Sequence, residues 1–203
     1  MIRALLPDAV IQSRVIAVLR GMDPDRVDSV AGVLARSGVR VVEVTMDSPG
    51  AVESIQRIAH SDSIIGAGTI MSIAEAEAAI SAGATFLVAP HTDQSVARWA
   101  VELGIPMIPG AFTPTEVMGA WSAGVAAVKV FPASVGGPGL LKALLGPLGG
   151  IPLIPTGGIT AENAAAFLAA GAVAVGLGGW LTDHVDLEVV AERAALIVEA
   201  CRV

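Results

Sequence analysis

A lysine inside an apolar, strand-like segment is the residue of this sequence that points most directly to chemistry. Lys129 interrupts the run Ala126-Ala127-Val128-Lys129-Val130-Phe131, whereas Lys142 lies in a segment with the pattern of an ordinary helix. Burial of an ammonium group disfavours its charged form, so we expect Lys129 to be a neutral amine. A neutral amine can attack a carbonyl carbon and form a Schiff base. The alternative is a structural lysine that is paired with a carboxylate.

A carboxylate in a second apolar segment could serve the same reaction. Glu43 lies in Val41-Val42-Glu43-Val44-Thr45, and strand alternation places Val41, Glu43 and Thr45 on one face, which we expect to be the interior. Near an iminium, a carboxylate can move protons between water, the carbinolamine and the carbon or oxygen being cleaved. The structural alternative for Glu43 is a counterion to Lys129 or Arg20, and the two roles can coexist.

Polar residues and glycines also follow directly after several of the other apolar segments. Arg20 follows the segment 15–19, so its guanidinium could hold a carboxylate or a phosphate. Thr69 follows Gly66-Ala67-Gly68 and adds a hydroxyl group. The pairs Gly157-Gly158, after Thr156, and Gly178-Gly179, before Trp180, could bring backbone N–H groups close to a phosphate. We interpret His91 as a loop residue and Trp180 as core packing.

The segments that carry these residues belong to one repeated pattern. Seven segments with apolar runs begin at glycines 38, 83, 104, 124, 150 and 171 and at Asp62, and residues 15–19 form an eighth run upstream. Amphipathic segments of helical length lie between them, at 25–37, 72–82, 94–103, 113–123 and 160–170. Apolar strands that alternate with helices are typical of a parallel sheet buried on both faces.

Eight such units predict a compact (β/α)8 barrel, an α/β fold, as a single domain over residues 1–203. The main rival is a doubly wound open sheet, which usually has fewer strands and one dominant glycine-rich first turn. In a barrel, the residues that do chemistry lie at the carboxyl ends of the strands.

Composition argues against several other classes of protein. The chain has 203 residues, of which 54% are hydrophobic and 15% charged, so it is too apolar to be disordered. A net charge of −7 and 3% aromatic residues, without tyrosine, argue against a nucleic-acid partner. One cysteine and three scattered histidines form no pattern of metal ligands, so we expect a reaction without metal or cofactor other than the Lys129 Schiff base.

One uncharged stretch raises the question of a membrane span. Residues 164–181 carry no charge, but Gly171, Gly176 and the pair Gly178-Gly179 divide the stretch into shorter pieces. Asp8 and Arg14 interrupt any apolar run of a secretory signal. We therefore expect a cytoplasmic protein with no membrane partner.

Five motifs, in order along nearly the whole chain, resemble those of the 2-keto-3-deoxy-6-phosphogluconate (KDPG) and 4-hydroxy-2-oxoglutarate (KHG) aldolases. They are Val42-Glu43-Val44-Thr45, Gly66-Ala67-Gly68-Thr69, Ile108-Pro109-Gly110 with Thr113-Pro114-Thr115-Glu116, Val128-Lys129-Val130-Phe131-Pro132-Ala133, and Pro155-Thr156-Gly157-Gly158-Ile159. The resemblance implies a small (β/α)8 barrel, a homotrimer and a class I aldolase without metal. It implies the Schiff-base role for Lys129 and proton shuttling for Glu43.

The resemblance also suggests which residues contact the substrate. The candidate substrate contacts are Arg20, Thr45, Thr69, Pro90 and Phe131, of which the resemblance implies all but Thr45. The candidate phosphate contacts are Thr156, Gly157, Gly158, Gly178 and Gly179.

Two positions depart from the family pattern. Many relatives read E-V-T-L-R-T, whereas this chain has Met46-Asp47-Ser48-Pro49 after Thr45, so an acid replaces an arginine that helps to hold the pyruvate carboxylate. Arg20 and Thr69 would then have to bind the carboxylate. The Ser48-Pro49 ending resembles the branch acting on the phosphogalactonate epimer. Gly179 stands where some relatives have serine, which removes one hydroxyl donor to phosphate.

The sequence thus predicts a lyase that cleaves KDPG to pyruvate and glyceraldehyde 3-phosphate, with KHG as a second candidate substrate. An aldolase for the 6-phosphogalactonate epimer remains an alternative. So does a phosphate-binding barrel isomerase or epimerase, with Glu43 as base and Lys129 as an electrostatic clamp. A third alternative is a barrel that binds a phosphorylated ligand without catalysis.

Overall fold

Strands and helices alternate through residues 3–202, which are the residues that this computed structural model describes. The strands are β1 (Val15–Leu19), β2 (Val41–Thr45), β3 (Ile64–Gly68), β4 (Phe86–Val88), β5 (Met107–Ile108), β6 (Gly110–Ala111), β7 (Val128–Val130), β8 (Leu153–Pro155) and β9 (Val175–Leu177). The helices are α1 (Asp8–Ser13), α2 (Pro24–Arg36), α3 (Ala51–Ile58), α4 (Ile73–Ser81), α5 (Gln94–Glu102), α6 (Pro114–Ser122), α7 (Ala133–Leu145), α8 (Ala161–Ala169), α9 (Gly179–Thr182) and α10 (Leu187–Ala200).

Parallel pairing joins the strands into two groups. One sheet has the order β5-β4-β3-β2-β1-β9, and the other has the order β6-β7-β8. An isolated parallel bridge between Thr156 and Gly176 connects the end of β8 to β9. The chain therefore has an α/β fold with a curled parallel sheet whose crossover helices cover its outer face.

The fifth predicted strand differs from the expectation of one continuous segment. Pro109 divides it into β5, which pairs with β4, and β6, which pairs with β7. Proline has no N–H to donate to a neighbouring strand, which accounts for the interruption. Its carbonyl still accepts a hydrogen bond from the N–H of Lys129 at 2.9 Å.

Alternation along the strands separates two apolar clusters. The inner cluster includes Ile16, Val41, Phe86 and Ile154. The outer cluster lies between the sheet and the helices and contains the intervening strand positions, such as Val42 and Val44 in β2. This arrangement confirms the prediction that the face of Val41, Glu43 and Thr45 is the interior.

The five predicted helical segments correspond to α2, α4, α5, α6 and α8, and their starts follow from capping residues. Ser72 accepts a hydrogen bond from the N–H of Glu75 at the start of α4. Asp93 caps α5 by accepting from the N–H groups of Ser95 and Val96. Thr113 and Glu116 form a capping box at α6, in which each side chain accepts from the other residue's N–H.

Two further features concern helix α1, near the amino terminus, and the uncharged stretch 164–181. The sequence pattern did not predict α1, which has six residues and is too short to show a helical period. Its Val10, together with Leu6, packs into the inner cluster. The stretch 164–181 is divided as predicted and forms parts of α8 and β9, but its last part begins the short helix α9 where a glycine turn was expected. Across residues 3–202, no helix is both long enough and apolar enough to cross a membrane.

Candidate active site

Lys129 lies at the centre of β7 and its side chain enters the interior of the curled sheet. Its register partners are Gly110 in β6 and Ile154 in β8. Only 6% of the side chain is exposed, and the prediction of a buried lysine is confirmed. The ammonium nitrogen lies 5.3 Å from the centre of the Phe131 ring, so an aromatic face borders one side of it. Lys142, by contrast, is exposed on α7.

Glu43 is the charged neighbour of Lys129. Its Oε1 atom lies 3.9 Å from the Lys129 Nζ atom, and only 3% of its side chain is exposed. That distance allows an ion pair but is too long for a hydrogen bond. Oε1 has no hydrogen-bond partner within residues 3–202. Lys129 and Arg20 were the two possible partners of Glu43. The structure places Glu43 beside Lys129, whereas Arg20 contacts Asp47.

A glycine on the neighbouring strand makes room for the Glu43 carboxylate. A Cβ atom placed on Gly68 would lie 1.9 Å from Glu43 Oε1, well inside contact distance. Gly68 pairs with Thr45 in the β2–β3 register, so it lies at the carboxyl end of the adjacent strand. Any side chain at position 68 would therefore displace the carboxylate from its place beside Lys129.

A cavity of about 330 Å³ opens at the carboxyl ends of the strands above Lys129. Its lining brings together ten of the twelve predicted site residues: Arg20, Thr69, Pro90, Lys129, Phe131, Thr156, Gly157, Gly158, Gly178 and Gly179. Val18 also lines it, a residue that the sequence analysis did not single out. Glu43 lies behind Lys129, outside the lining.

Thr45 has a different position from the other predicted substrate contacts. It is fully buried, and its hydroxyl forms a hydrogen bond of 2.9 Å with the hydroxyl of Ser48. It is not among the residues that line the cavity. The structure therefore does not bring Thr45 together with Arg20, Thr69 and the other contacts.

Arg20 lies at the mouth of the cavity between two partners from neighbouring strands. Its Nη2 donates to Thr69 Oγ1 at 2.9 Å, and its Nη1 is in contact with the Asp47 carboxylate. Both charged side chains are about half exposed, at 53% for Arg20 and 44% for Asp47. Thr69 has a φ of 56°, a left-handed conformation that is rare for a β-branched residue. Such strained positions cluster at functional sites.

Sequence reasoning missed the role of Ser48 beside this pair. Ser48 is buried, and its hydroxyl accepts a hydrogen bond of 2.7 Å from the N–H of Gly21. The same hydroxyl contacts Thr45. Ser48 therefore ties the loop after β2 to the loop after β1, immediately next to Asp47 and Arg20. No sequence signal identifies this tie, because it depends on how two loops meet.

The two predicted phosphate loops face the same cavity. The carbonyls of Thr156 and Gly157 accept hydrogen bonds from the N–H groups of Ala133 and Ser134, at 2.8 and 3.0 Å, which ties this loop to the start of α7. Gly158 has a φ of 76°, and a Cβ atom there would lie 2.5 Å from Ser134 Cβ. The geometry thus requires glycine at position 158.

A second cavity of about 430 Å³ shares Pro90 and Phe131 with the first. His91 lies in a loop, as predicted. It lines this second cavity and does not line the cavity of Lys129. Glu116 lies at its edge. The N–H groups of Phe112 and then Thr113 donate to the Glu116 carboxylate and lower its pKa. Among the described residues, no group of three or more His, Cys, Asp or Glu side chains could hold a metal ion.

The arrangement of Lys129 and Glu43 suits covalent chemistry on a carbonyl compound. A buried amine can attack a carbonyl carbon, and a buried carboxylate 3.9 Å away can relay the protons that addition and elimination require. The arginine and the glycine loops at the mouth can hold anionic groups on either side.

Comparison with known sequences identifies relatives that are named as aldolases. The sequence model described as "KDPG and KHG aldolase" matches residues 7–195. The 2-dehydro-3-deoxy-6-phosphogalactonate aldolase of Escherichia coli is 37% identical over 192 residues, which cover 92% of this chain and 94% of the relative. The 2-dehydro-3-deoxy-phosphogluconate aldolase of Dickeya dadantii is 38% identical over 161 residues, which cover 78% of this chain and 76% of the relative.

Solved structures agree with the sequence comparison. One described as "Native KDPGal structure" superposes with a TM-score of 0.89 at 36% identity and covers 93% of this chain and 94% of its own. The KDPG aldolase of Legionella pneumophila, with pyruvate captured as a covalent carbinolamine, has a TM-score of 0.82 at 28% identity, and the match covers 97% of both chains. This chain therefore belongs to the KDPG and KHG aldolase family of lyases.

Proposed function

We propose that this protein is a class I aldolase that cleaves a 2-keto-3-deoxy-6-phospho sugar acid, with Lys129 as the nucleophile. The observation that carries the proposal is the buried Lys129 amine, 3.9 Å from the equally buried Glu43 carboxylate and facing the cavity. The carbinolamine in the Legionella pneumophila relative supports covalent capture of a keto acid by this family.

The reaction begins when the Lys129 amine attacks the C2 ketone of the substrate. The resulting carbinolamine loses water after Glu43 delivers a proton to its hydroxyl, which leaves an iminium ion. Glu43, now a carboxylate, accepts the proton of the C4 hydroxyl. The C3–C4 bond breaks, its electron pair moves into the iminium to form an enamine, and the aldehyde fragment is released. Glu43 returns its proton to C3 of the enamine, and water then hydrolyses the iminium to pyruvate and free Lys129, with the released proton taken up by Glu43.

The two anionic ends of the substrate would bind at opposite sides of the cavity. Arg20, with Thr69, would hold the carboxylate next to C2, because a guanidinium matches a carboxylate in charge and geometry. The loops of Thr156-Gly157-Gly158 and Gly178-Gly179 would hold the phosphate. Pro90 and Phe131 would supply apolar contacts to the carbon chain. All of these residues line the same cavity as Lys129, which supports the assignment.

The choice of substrate rests on relatives that divide between two epimers. The Escherichia coli relative is named for the phosphogalactonate epimer and the Dickeya dadantii relative for the phosphogluconate epimer, at 37% and 38% identity. We propose cleavage of KDPG to pyruvate and glyceraldehyde 3-phosphate, with the galactonate epimer and KHG as the substrates to compare. Comparing the kcat/KM values of the three on the same preparation decides among them.

The proposal includes the architecture and the assembly. The Thr156–Gly176 bridge and the single residue between β5 and β6 support closure of the two sheets into an eight-stranded barrel. We also propose a homotrimer, in keeping with exposed apolar side chains such as Leu103 and Met118. A metal-independent reaction in the cytoplasm remains our expectation. Light scattering tests the trimer, and activity in the presence of EDTA tests metal independence.

Trapping with borohydride tests the central step. Incubation of the protein with pyruvate and borohydride should reduce the iminium and leave one irreversible adduct on Lys129, detectable by peptide mass mapping. Substrate turnover should be lost in parallel with the formation of the adduct. Absence of an adduct from protein that cleaves KDPG would contradict the Schiff-base mechanism and would favour Lys129 as an electrostatic clamp.

A further inference from the structure

The mouth of the cavity holds a carboxylate that the reaction does not need. Asp47 belongs to the loop after β2 and contacts Arg20, the residue to which the proposed function assigns the carboxylate of the substrate. We propose that Asp47 is a specificity-determining residue: it occupies the guanidinium of Arg20 in the free enzyme and thereby weakens the binding of ketones that carry a carboxylate. This inference rests on the proposed function.

The first argument is that the terminal nitrogens of Arg20 already have oxygen partners. Nη1 faces the Asp47 carboxylate, and Nη2 donates to Thr69 Oγ1 at 2.9 Å. The edge of the guanidinium that carries both terminal nitrogens is one at which a carboxylate can bind through two parallel hydrogen bonds. A keto acid must therefore compete with Asp47 for Arg20, or share the guanidinium with it.

The second argument is that Asp47 is held in place by its neighbour. Ser48 is buried, and its hydroxyl accepts the N–H of Gly21 at 2.7 Å. Gly21 follows Arg20 and Ser48 follows Asp47, so this bond ties the two loops beside the ion pair. The backbone of Asp47 is consequently kept within reach of Arg20.

The third argument is the balance of charge around the cavity. Arg20 and Lys129 are the cationic side chains that line it, and Asp47 and Glu43 are the acids in contact with them. In their charged forms these groups sum to zero. An anionic ligand at Arg20 therefore gains less attraction than an unpaired guanidinium would provide, because Asp47 repels it over a short distance.

The size of the effect follows from exposure. Because Arg20 and Asp47 are 53% and 44% exposed, water and salt screen their interaction. Exposed pairs of this kind change equilibrium constants about two- to fivefold. We therefore expect Asp47→Asn to lower the pyruvate concentration that half-saturates borohydride trapping of Lys129 by about two- to fivefold at low salt, and by less at high salt.

A neutral ketone of the same shape provides the decisive comparison. Pyruvamide retains the ketone of pyruvate and replaces the carboxylate by an uncharged amide. The half-saturating concentration of pyruvamide should stay the same in Asp47→Asn, since no charge competes with Asp47. Asp47→Ala, which also removes the charge, should shift the pyruvate curve in the same direction as Asp47→Asn.

Asp25→Asn is the matched control for net charge. Asp25 pairs with Arg57 at 2.9 Å on the surface, outside the lining of the cavity, so its removal should leave both trapping curves in place. An unchanged or raised half-saturating concentration of pyruvate in Asp47→Asn would overturn the inference. So would an equal shift for pyruvate and pyruvamide. If wild-type protein traps neither ketone, the proposed function itself fails, which is a different result from an unmoved Asp47→Asn curve.

Discussion

Two regions of the sheet interior are built from the same alternating strands and have opposite chemistry. In one, Ile16, Val41, Phe86 and Ile154 form an apolar layer. In the other, Glu43 and Lys129 form a buried charged pair, although Lys129 is the register partner of Ile154. Strand β2 contributes to both layers, since Val41 and Glu43 lie two residues apart on one face. Two successive inward positions of one strand thus differ in role: the first stabilises the fold, and the second can act on a ligand.

Among the variants that test this comparison, a substitution of Lys129 should cause the largest loss of activity. Lys129→Ala removes the lysine amine that lines the cavity, and we expect kcat/KM for aldol cleavage to fall by about 10⁴-fold or more, as for loss of a covalent nucleophile. Lys142→Ala is the matched control, since Lys142 is exposed on α7 and should be dispensable. Measurable turnover by Lys129→Ala would contradict the mechanism.

Glu43→Gln should have the next largest effect. The amide keeps the shape of the side chain but cannot shuttle a proton, so we expect kcat to fall by about 10²- to 10³-fold. The Kd for a non-reacting substrate analogue should change much less. Steady-state kinetics and direct binding measurements separate the two quantities. Equal losses in kcat and in binding would indicate that Glu43 is a structural counterion to Lys129.

A substitution in the apolar layer should affect stability and not catalysis. Phe86 is fully buried, and its ring lies over Gly66, where a Cβ atom would approach it to 2.2 Å. Phe86→Ala should lower the free energy of unfolding by about 3–5 kcal/mol because it leaves a cavity. Below the melting temperature, kcat per folded molecule should be little changed. Denaturant titration and kinetics on the same sample test both statements, and a loss of kcat without a loss of stability would refute them.

The reactivity of the Cys201 thiol is the smallest of the expected effects, and it reports on folding independently of activity. It is the single cysteine of the chain, and burial in the outer core raises the pKa of its thiol to about 11. The thiol should therefore react slowly with iodoacetamide at pH 8 in the wild type and in Lys129→Ala. It should react faster in Phe86→Ala, in proportion to the unfolded fraction.

The same thiol makes a small contribution to stability that depends on pH. Because the folded pKa of Cys201 lies above that of an unfolded cysteine, about 8.5, the contribution is fully present below that pH. It is lost as the pH rises towards 11. Denaturation of Cys201→Ala across this range should show less decline than wild type. Identical declines in the two proteins would contradict the assignment.

Local sequence patterns predicted much of the fold and of the polar layer. The helix starts follow from local residues such as Asp93 and the Thr113–Glu116 capping box, so they can be read from the sequence. The inward positions of Glu43 and Lys129 follow from strand alternation and burial. Their roles in catalysis stay predictions until the variants above are measured.

Contacts between loops could not be predicted in the same way. The Arg20–Asp47 pair and the Gly21–Ser48 hydrogen bond join residues 27 positions apart, and no local pattern encodes how the two loops meet. The position of Thr45 is a related case, because its hydroxyl contacts Ser48 and does not line the cavity. The proline at position 109 is visible in the sequence, but no local pattern shows that β5 pairs with β4 and β6 with β7.

The short helix α1 has a consequence for the sequence of events in a catalytic cycle. Leu6 and Val10 cover the amino end of the interior, so a ligand reaches Lys129 from the side where Arg20 and Gly158 lie. For a substrate attached to Lys129, the fragment bonded to the lysine is the deeper one and the aldehyde is the outer one. Because the ketone stays bonded to Lys129 until hydrolysis, the aldehyde departs first. With the amino end covered by α1, both products would leave through the opening by which the substrate entered.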